Sequence, residues 1–229
     1  MGMLVDQILL EAQQGTDGAF ACVDAARLLH SFFVLPTPQL AKAVRDGSLV
    51  GSLQQVAAYL PMSPTDREAC AALCAQAAAP ASEPSLEELR QDFTRLFAHP
   101  KQALVEPFES AFRSAAQGVD ERPLIAVNRT ALELDQLYAR CGLRTPREAT
   151  HAGDHIAVEL AFFASALEQI AVGDADQNNR LVPELQAFMN DHADRWWKAF
   201  FGQVAQHAQT PTYAFVGRYG ELVFLGRAV

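Results

Sequence analysis

The feature that most constrains this chain is the spacing of its apolar residues. They recur every three or four positions over nearly the whole length, and a strand-like alternation of two is almost absent. Val5, Ile8, Leu9 and Ala12 make one such face, and Phe20, Val23, Arg27, Leu28 and Phe32 carry the pattern to a stop at Pro36. Leu86, Leu89, Phe93, Leu96 and Phe97 form a stripe that ends before Pro100. Further helices are expected over about 123–141, 154–172, 181–209 and 211–219. Only Tyr213 to Val216 and Leu222 to Leu225 look β-like, and both runs are short.

The punctuation agrees with helices. Thr37-Pro38 and Ser63-Pro64 each set a capping hydroxyl before a proline at the first helical position, where the missing N–H costs nothing. Ser63 with Asp66, and Ser85 with Glu88, have the spacing of capping boxes. The 12 prolines fall mostly at helix edges. The expectation is an all-α fold: one helical-bundle domain over residues 1–229, with roughly nine to eleven helices. Residues 75–85 (AQAAAPASEPS) and 118–123 are candidate hinges between two lobes, and 151–154 (HAGD) is a candidate linker. A hinge would allow helices to exchange between protomers, so the expected state is a monomer or a domain-swapped dimer.

Charge narrows the partners. Acidic residues outnumber basic ones 27 to 18, a net −9 and a pI of about 5.1. Such a surface repels phosphates, which argues against nucleic acid and anionic membranes and suits a basic ligand or peptide. Residues 1–20 lack the basic and apolar segments of a secretory signal. The greasiest stretches, Ala19 to Leu35 and Ile156 to Val172, carry charged residues and fall short of the ~20 uncharged residues that span a bilayer. The expected location is the cytoplasm. The four cysteines, Cys22, Cys70, Cys74 and Cys141, lack CxxC or zinc-ligand spacing and read as small buried hydrophobes.

Enzyme motifs are missing: no GxGxxG, Walker A loop, GxSxG or HExxH occurs. The one enzyme-like group is His151, His155 and Glu159, at i, i+4 and i+8, a spacing that can line metal ligands along a helix face. Gly153-Asp154, however, reads as a helix start with Asp154 as N-cap, which would put His151 in the preceding loop. Two ligands do not make a site, so a helical metal-binding enzyme stands as the alternative, and no catalytic residue, metal or cofactor is assigned. His155 and Glu159 flank the core stripe Ile156, Leu160, Phe163, Leu167 and Ile170. They read either as a cap plus an i,i+4 pair, or as a polar lip beside an apolar groove. In the helix over 181–209, Leu185, Phe188, His192, Trp196 and Ala199 form one stripe and Trp197, Phe201 and Val204 another; His192 reads as a satisfied core histidine.

Three ordered blocks carry a resemblance. The first is Asp92-Phe93-Thr94-Arg95-Leu96-Phe97, then Pro100 and Pro107-Phe108-Glu109-Ser110-Ala111-Phe112. The second is Tyr138 and Gly142, then Asp154-His155-Ile156-Ala157-Val158-Glu159-Leu160-Ala161-Phe162-Phe163. The third is Phe188, His192, Trp196 and Phe200. Together they resemble the TorD/DmsD-type chaperones of redox-enzyme maturation, related to the NarJ type. The departures are Asp92 where the family has Glu, His99 for a Gly, Phe112 for a Tyr, and Gly153 for a proline, which is expected to loosen that hinge.

The resemblance implies a non-catalytic chaperone. Its partners would be the twin-arginine leader and the apo body of a molybdenum-cofactor oxidoreductase subunit, held for cofactor insertion before Tat export. The peptide-binding residues it implies are Asp154 and Glu159 for the guanidinium groups, with His155 as a pH-sensitive donor or acceptor. Phe93, Phe97, Phe162 and Trp196 would form the apolar trough, and Glu109-Ser110 would position the loop between the halves of the bundle. A general helical interaction module with another partner is the remaining alternative.

Overall fold

The computed structural model describes residues 2–78, 84–99, 103–116, 128–143 and 152–225, with side chains described over residues 5–224 of these. The helices are α1 (Gly2–Gln13), α2 (Asp17–His30), α3 (Pro38–Arg45), α4 (Ser48–Tyr59), α5 (Pro64–Ala77), α6 (Leu86–Phe93), α7 (Glu109–Ala116), α8 (Arg129–Arg140), α9 (Ile156–Val172), α10 (Ala175–Phe188), α11 (Asp194–His207) and α12 (Pro211–Leu225). A π turn, Thr94–Ala98, extends α6, and another, Met189–Ala193, joins α10 to α11 in one unbroken rod. The described residues thus make eleven helical runs and an all-α fold. The hinge candidates lie partly (75–85) or wholly (118–123) outside the described residues.

The caps explain the boundaries. Ser85 and Glu88 close both halves of a capping box: Glu88 N donates to Ser85 Oγ at 3.2 Å and Ser85 N to Glu88 Oε2 at 2.7 Å. At Ser63 the shorter Asp66 closes only part of one. Asp66 N donates to Ser63 Oγ at 3.1 Å, and that hydroxyl donates back to Asp66 Oδ2 at 2.7 Å. Asp174 starts α10, accepting from Gln177 N at 2.9 Å. The helix expected from residue 181 therefore begins earlier, and Pro183 falls inside it.

The helix expected over 211–219 is present and runs on to Leu225, taking in both β-like runs, because Tyr213, Val216, Tyr219 and Val223 recur at helical spacing and are buried. One sequence expectation fails for a tertiary reason. Asp154 is not the N-cap of α9. His155 is, its Nδ1 accepting from Ala157 N at 3.1 Å, because Asp154 is already engaged by other donors.

A single apolar cluster runs from Val5 to Phe224. The helix α9 is its axis, burying Ile156, Leu160, Phe163, Leu167 and Ile170 against α2, α1 and α10. The second close pair is α11 with α12. There Gly217 is required by approach: a Cβ would press on Phe201 O at 2.7 Å and on the Ala205 backbone. All four cysteines are free and buried; burial pushes Cys22 up to about 12, with Glu11 adding to the shift.

Candidate functional site

The site begins as a joint between two chain segments far apart in sequence. Residues around Phe108 and His155 pair as an isolated antiparallel bridge. Glu109 N donates to Asp154 O at 2.8 Å and Ile156 N to Pro107 O at 2.9 Å. The rings of Phe108 and His155 meet edge to face, 5.0 Å apart. This pairing sets the starts of α7 and α9 side by side, so the second half of the first sequence block meets the second.

Asp154 fastens the joint. Its Oδ2 accepts from Ser110 Oγ at 2.6 Å, from Asn128 Nδ2 at 2.7 Å and more weakly from Ser110 N at 3.3 Å. Asn128 also caps α8 through Thr130 N at 3.0 Å. Burial raises the Asp154 carboxyl above its ordinary range, the Ser110 donors oppose the rise, and the Glu109 charge adds to it. Gly153, expected to loosen this point, is buried, and its carbonyl accepts from Tyr138 OH at 2.8 Å. A Cβ there would meet Asp135 Oδ1 at 2.5 Å and Ala131 O at 3.1 Å, so glycine is what lets the segment lie against α8.

Two more carboxylates lie inward. Glu109 is fully buried between Arg113, whose Nη1 donates to Oε1 at 2.5 Å, and His192, whose Nδ1 lies 2.7 Å from Oε2. Glu159 is also fully buried; its Oε2 accepts from Trp196 Nε1 at 3.0 Å and Trp197 Nε1 at 2.7 Å. Its Oε1 has no hydrogen-bond partner among the described residues. Burial above all, and then the Glu109 charge, hold the Glu159 carboxyl well above its ordinary range, against the two indole donors. Burial thus favours the protonated form of this carboxyl. Two adjacent tryptophans reach one oxygen just after the π turn Met189–Ala193, whose extra residue rotates the helix face. Within α11 Phe200 is buried and Ala199, expected in the stripe, is exposed.

The aromatic residues named from the sequence surround this cluster and are buried. Phe93 and Phe97 meet at 5.5 Å, Phe97 stacks on Phe200 at 6.1 Å, and Phe162 lies 4.4 Å from Tyr138. Trp196 meets Phe112 at 5.6 Å and Phe200 at 5.1 Å. Beside them, Asp92 Oδ2 accepts from Gln209 N, Thr210 N and Thr210 Oγ, tying α6 to the start of α12. The structure thus joins Glu109, Ser110, Asp154, His155, Glu159, Phe162 and Trp196 around one joint, with Phe93 and Phe97 in the adjoining aromatic core. Asn128, Arg113, Trp197 and His192 complete it. Of these, Arg113 had a legible signal, its i+4 spacing from Glu109, and Asn128 another, its place before a helix. His151 lies outside the described residues, and no cluster of three or more His, Cys, Asp or Glu among the described residues is placed to hold a metal.

This joint falls within a recognisable family signature: residues 61–202 match the nitrate reductase delta subunit family. That stretch is more than half of the chain. The chain belongs to this family. Among curated proteins no match to the chain was found. The nitrate reductase delta subunit family comprises redox-enzyme maturation chaperones of the NarJ type, related to TorD and DmsD, and is associated with molybdoenzyme subunits. It is a chaperone-type, non-catalytic family. No helix among the described residues is long and apolar enough to cross a membrane.

Proposed function

We propose that this member of the nitrate reductase delta subunit family is a cytoplasmic chaperone for a molybdenum-cofactor oxidoreductase. It binds the twin-arginine leader of the apo catalytic subunit, and its body, and holds them until the cofactor is inserted and Tat export follows. The observation that carries this reading is the convergence of all three sequence blocks on one hydrogen-bonded joint inside the family-matched stretch. Among the described residues of the joint, His155 caps α9 and His192 holds the Glu109 carboxylate, which supports a structural part for both.

The nine residues act in this reading as the frame that holds the helices carrying the peptide site. Asp154 and Glu159 already serve internal donors, so their part is to fix where α7, α9 and α11 stand. Phe93, Phe97, Phe162 and Trp196 fix the apolar wall behind them. His155 and Ser110 pin the crossing, and Glu109 ties it to α11 through His192.

The test is isothermal titration calorimetry with a panel of twin-arginine leader peptides from molybdoenzymes, each beside its Arg-Arg to Gln-Gln version. Binding at ~1 μM or tighter, about −8 kcal/mol, is expected for one leader and not its mutant. Asp154→Ala and His155→Ala are expected to weaken that binding while thermal unfolding still shows a folded protein. Indifference to the arginine pair across the panel overturns leader recognition.

A further inference from the structure

All the aromatic side chains of this chain fall within the described residues, and all but three are buried. Phe108 is half-buried in the joint, and the two exposed ones, Phe20 at 37% and Tyr59 at 59%, face the same groove. That groove, of about 650 Å³, runs between α2 and α4. On the α2 side Asp17, Phe20, Ala21, Asp24, Leu28 and Ser31 stand on one helical stripe; on the α4 side Ser52, Gln55, Val56 and Tyr59 stand on another. Leu28 and Val56 are partly buried against the core and form the floor.

Its charge is one-sided. Asp17 and Asp24 are exposed and two turns apart; Asp24 shares the field of Arg27, one turn along, without a close ion pair. The groove's one cation, Arg27, is already committed: its guanidinium forks onto Glu168 of α9 at 3.1 and 2.6 Å. What remains is an apolar channel with two open aromatic faces and a surplus of carboxylate, since Arg27 is shared between Glu168 and Asp24. Two stripes of side chains with a trough between them are the geometry that receives one helix, and exposed carboxylates beside aromatic rings favour a guanidinium partner.

We infer that the groove between α2 and α4 is the seat of the client's leader segment, with Asp17 and Asp24 taking its arginines and Phe20, Leu28, Val56 and Tyr59 its apolar helical run. This deepens the chaperone reading and rests on it. Every residue of the groove precedes the family-matched residues 61–202, so client choice would be set by a part of the chain outside that signature. The groove is not isolated from the joint. His30, at the end of α2, has Nδ1 2.8 Å from Ala157 O in the first turn of α9, and Arg27 is tied to Glu168 further along it. Occupation of α2 is therefore mechanically linked to the helix that carries Glu159.

The experiment uses the full chain and whichever leader peptide binds it most tightly in the calorimetric panel. Asp17→Asn with Asp24→Asn is expected to weaken binding at least tenfold and to abolish the preference for Arg-Arg over Gln-Gln. Phe20→Ala with Tyr59→Ala is expected to weaken both peptides at least tenfold while keeping the preference. Thermal unfolding should be unchanged in both, since all four side chains are exposed. Leu132→Ala, exposed on α8, serves as the control and should bind like the parent. Parent-like affinity in both groove variants would place the leader elsewhere and overturn this inference while leaving leader recognition intact. Absence of binding to the parent across the whole panel would overturn both.

Discussion

Glu159 shows what burial does to a single ionisable group. Two indole N–H donors converge on one oxygen, the other oxygen has no partner among the described residues, and the Glu109 carboxylate is close enough to repel a second negative charge. The folded state therefore holds the proton to higher pH than the unfolded chain, which loses it above about pH 4.3, the ordinary glutamate value. The sign follows: with the folded value raised, the unfolded state gains as pH climbs through that window, so this group's contribution to stability falls with rising pH. Glu159→Gln keeps an acceptor for both tryptophans and cannot ionise. Relative to the parent, its urea midpoint should rise as pH climbs above about 4. Parallel pH profiles for the two proteins would refute the raised carboxyl. Asp154 was legible as important from its place before His155, but its role was not. Capping was the local reading, and only the approach of Ser110 and Asn128 turned it into a cross-chain fastener.

At the scale of elements, helix boundaries follow local chemistry and helix contacts follow shape. Ser85 and Glu88 start α6 wherever that helix packs, so the cap was readable. The closeness of α11 and α12 was not, because it depends on the absence of side-chain atoms at Gly217, and a glycine inside a helix is locally only a weak point. The two cases make opposite predictions for the same substitution. Gly217→Ala forces a Cβ onto the backbone of α11 and should cost about 1–3 kcal/mol. Gly51→Ala, in α4 with no atom within 4 Å of the new methyl, should stabilise by about 0.5–1 kcal/mol. Chemical denaturation of the two variants checks both, and equal effects would mean that the α11–α12 approach is looser than described. The π turn at Met189–Ala193 belongs to the same scale. It shifts the buried face of α11 relative to that of α10, and within α11 the i+4 residue Phe200, not Ala199, continues the stripe of Trp196.

Across the whole molecule one apolar cluster joins residues from α1 to α12, and α9 touches both early and late helices. A core shared in this way should unfold as a unit. Far-UV circular dichroism, reporting all helices, and tryptophan fluorescence, reporting Trp196 and Trp197 beside Glu159, should give coincident denaturation curves. Separated curves would divide the chain into two lobes and favour a working hinge. The net charge of −9 acts at this scale too. It favours a basic partner everywhere on the surface, but it gains direction only where carboxylates outnumber nearby cations, as Asp17 and Asp24 do beside Phe20 and Tyr59.

The amino-acid sequence by itself determined the helical class, most helix starts and the family, because periodicity, caps and ordered motifs are written within a few residues of one another. It also marked Glu109, Asp154, His155, Glu159 and Trp196 as residues that matter. The tertiary structure alone decided what they touch. A carboxylate's character depends on the donors and charges brought within a few ångströms of it, and here those come from residues up to 83 positions away, as His192 does to Glu109. Exposure is likewise a property of packing. Phe20 and Trp196 both look like core residues on amphipathic helices, but the neighbours of α2 leave one ring open to solvent while those of α11 close over the other.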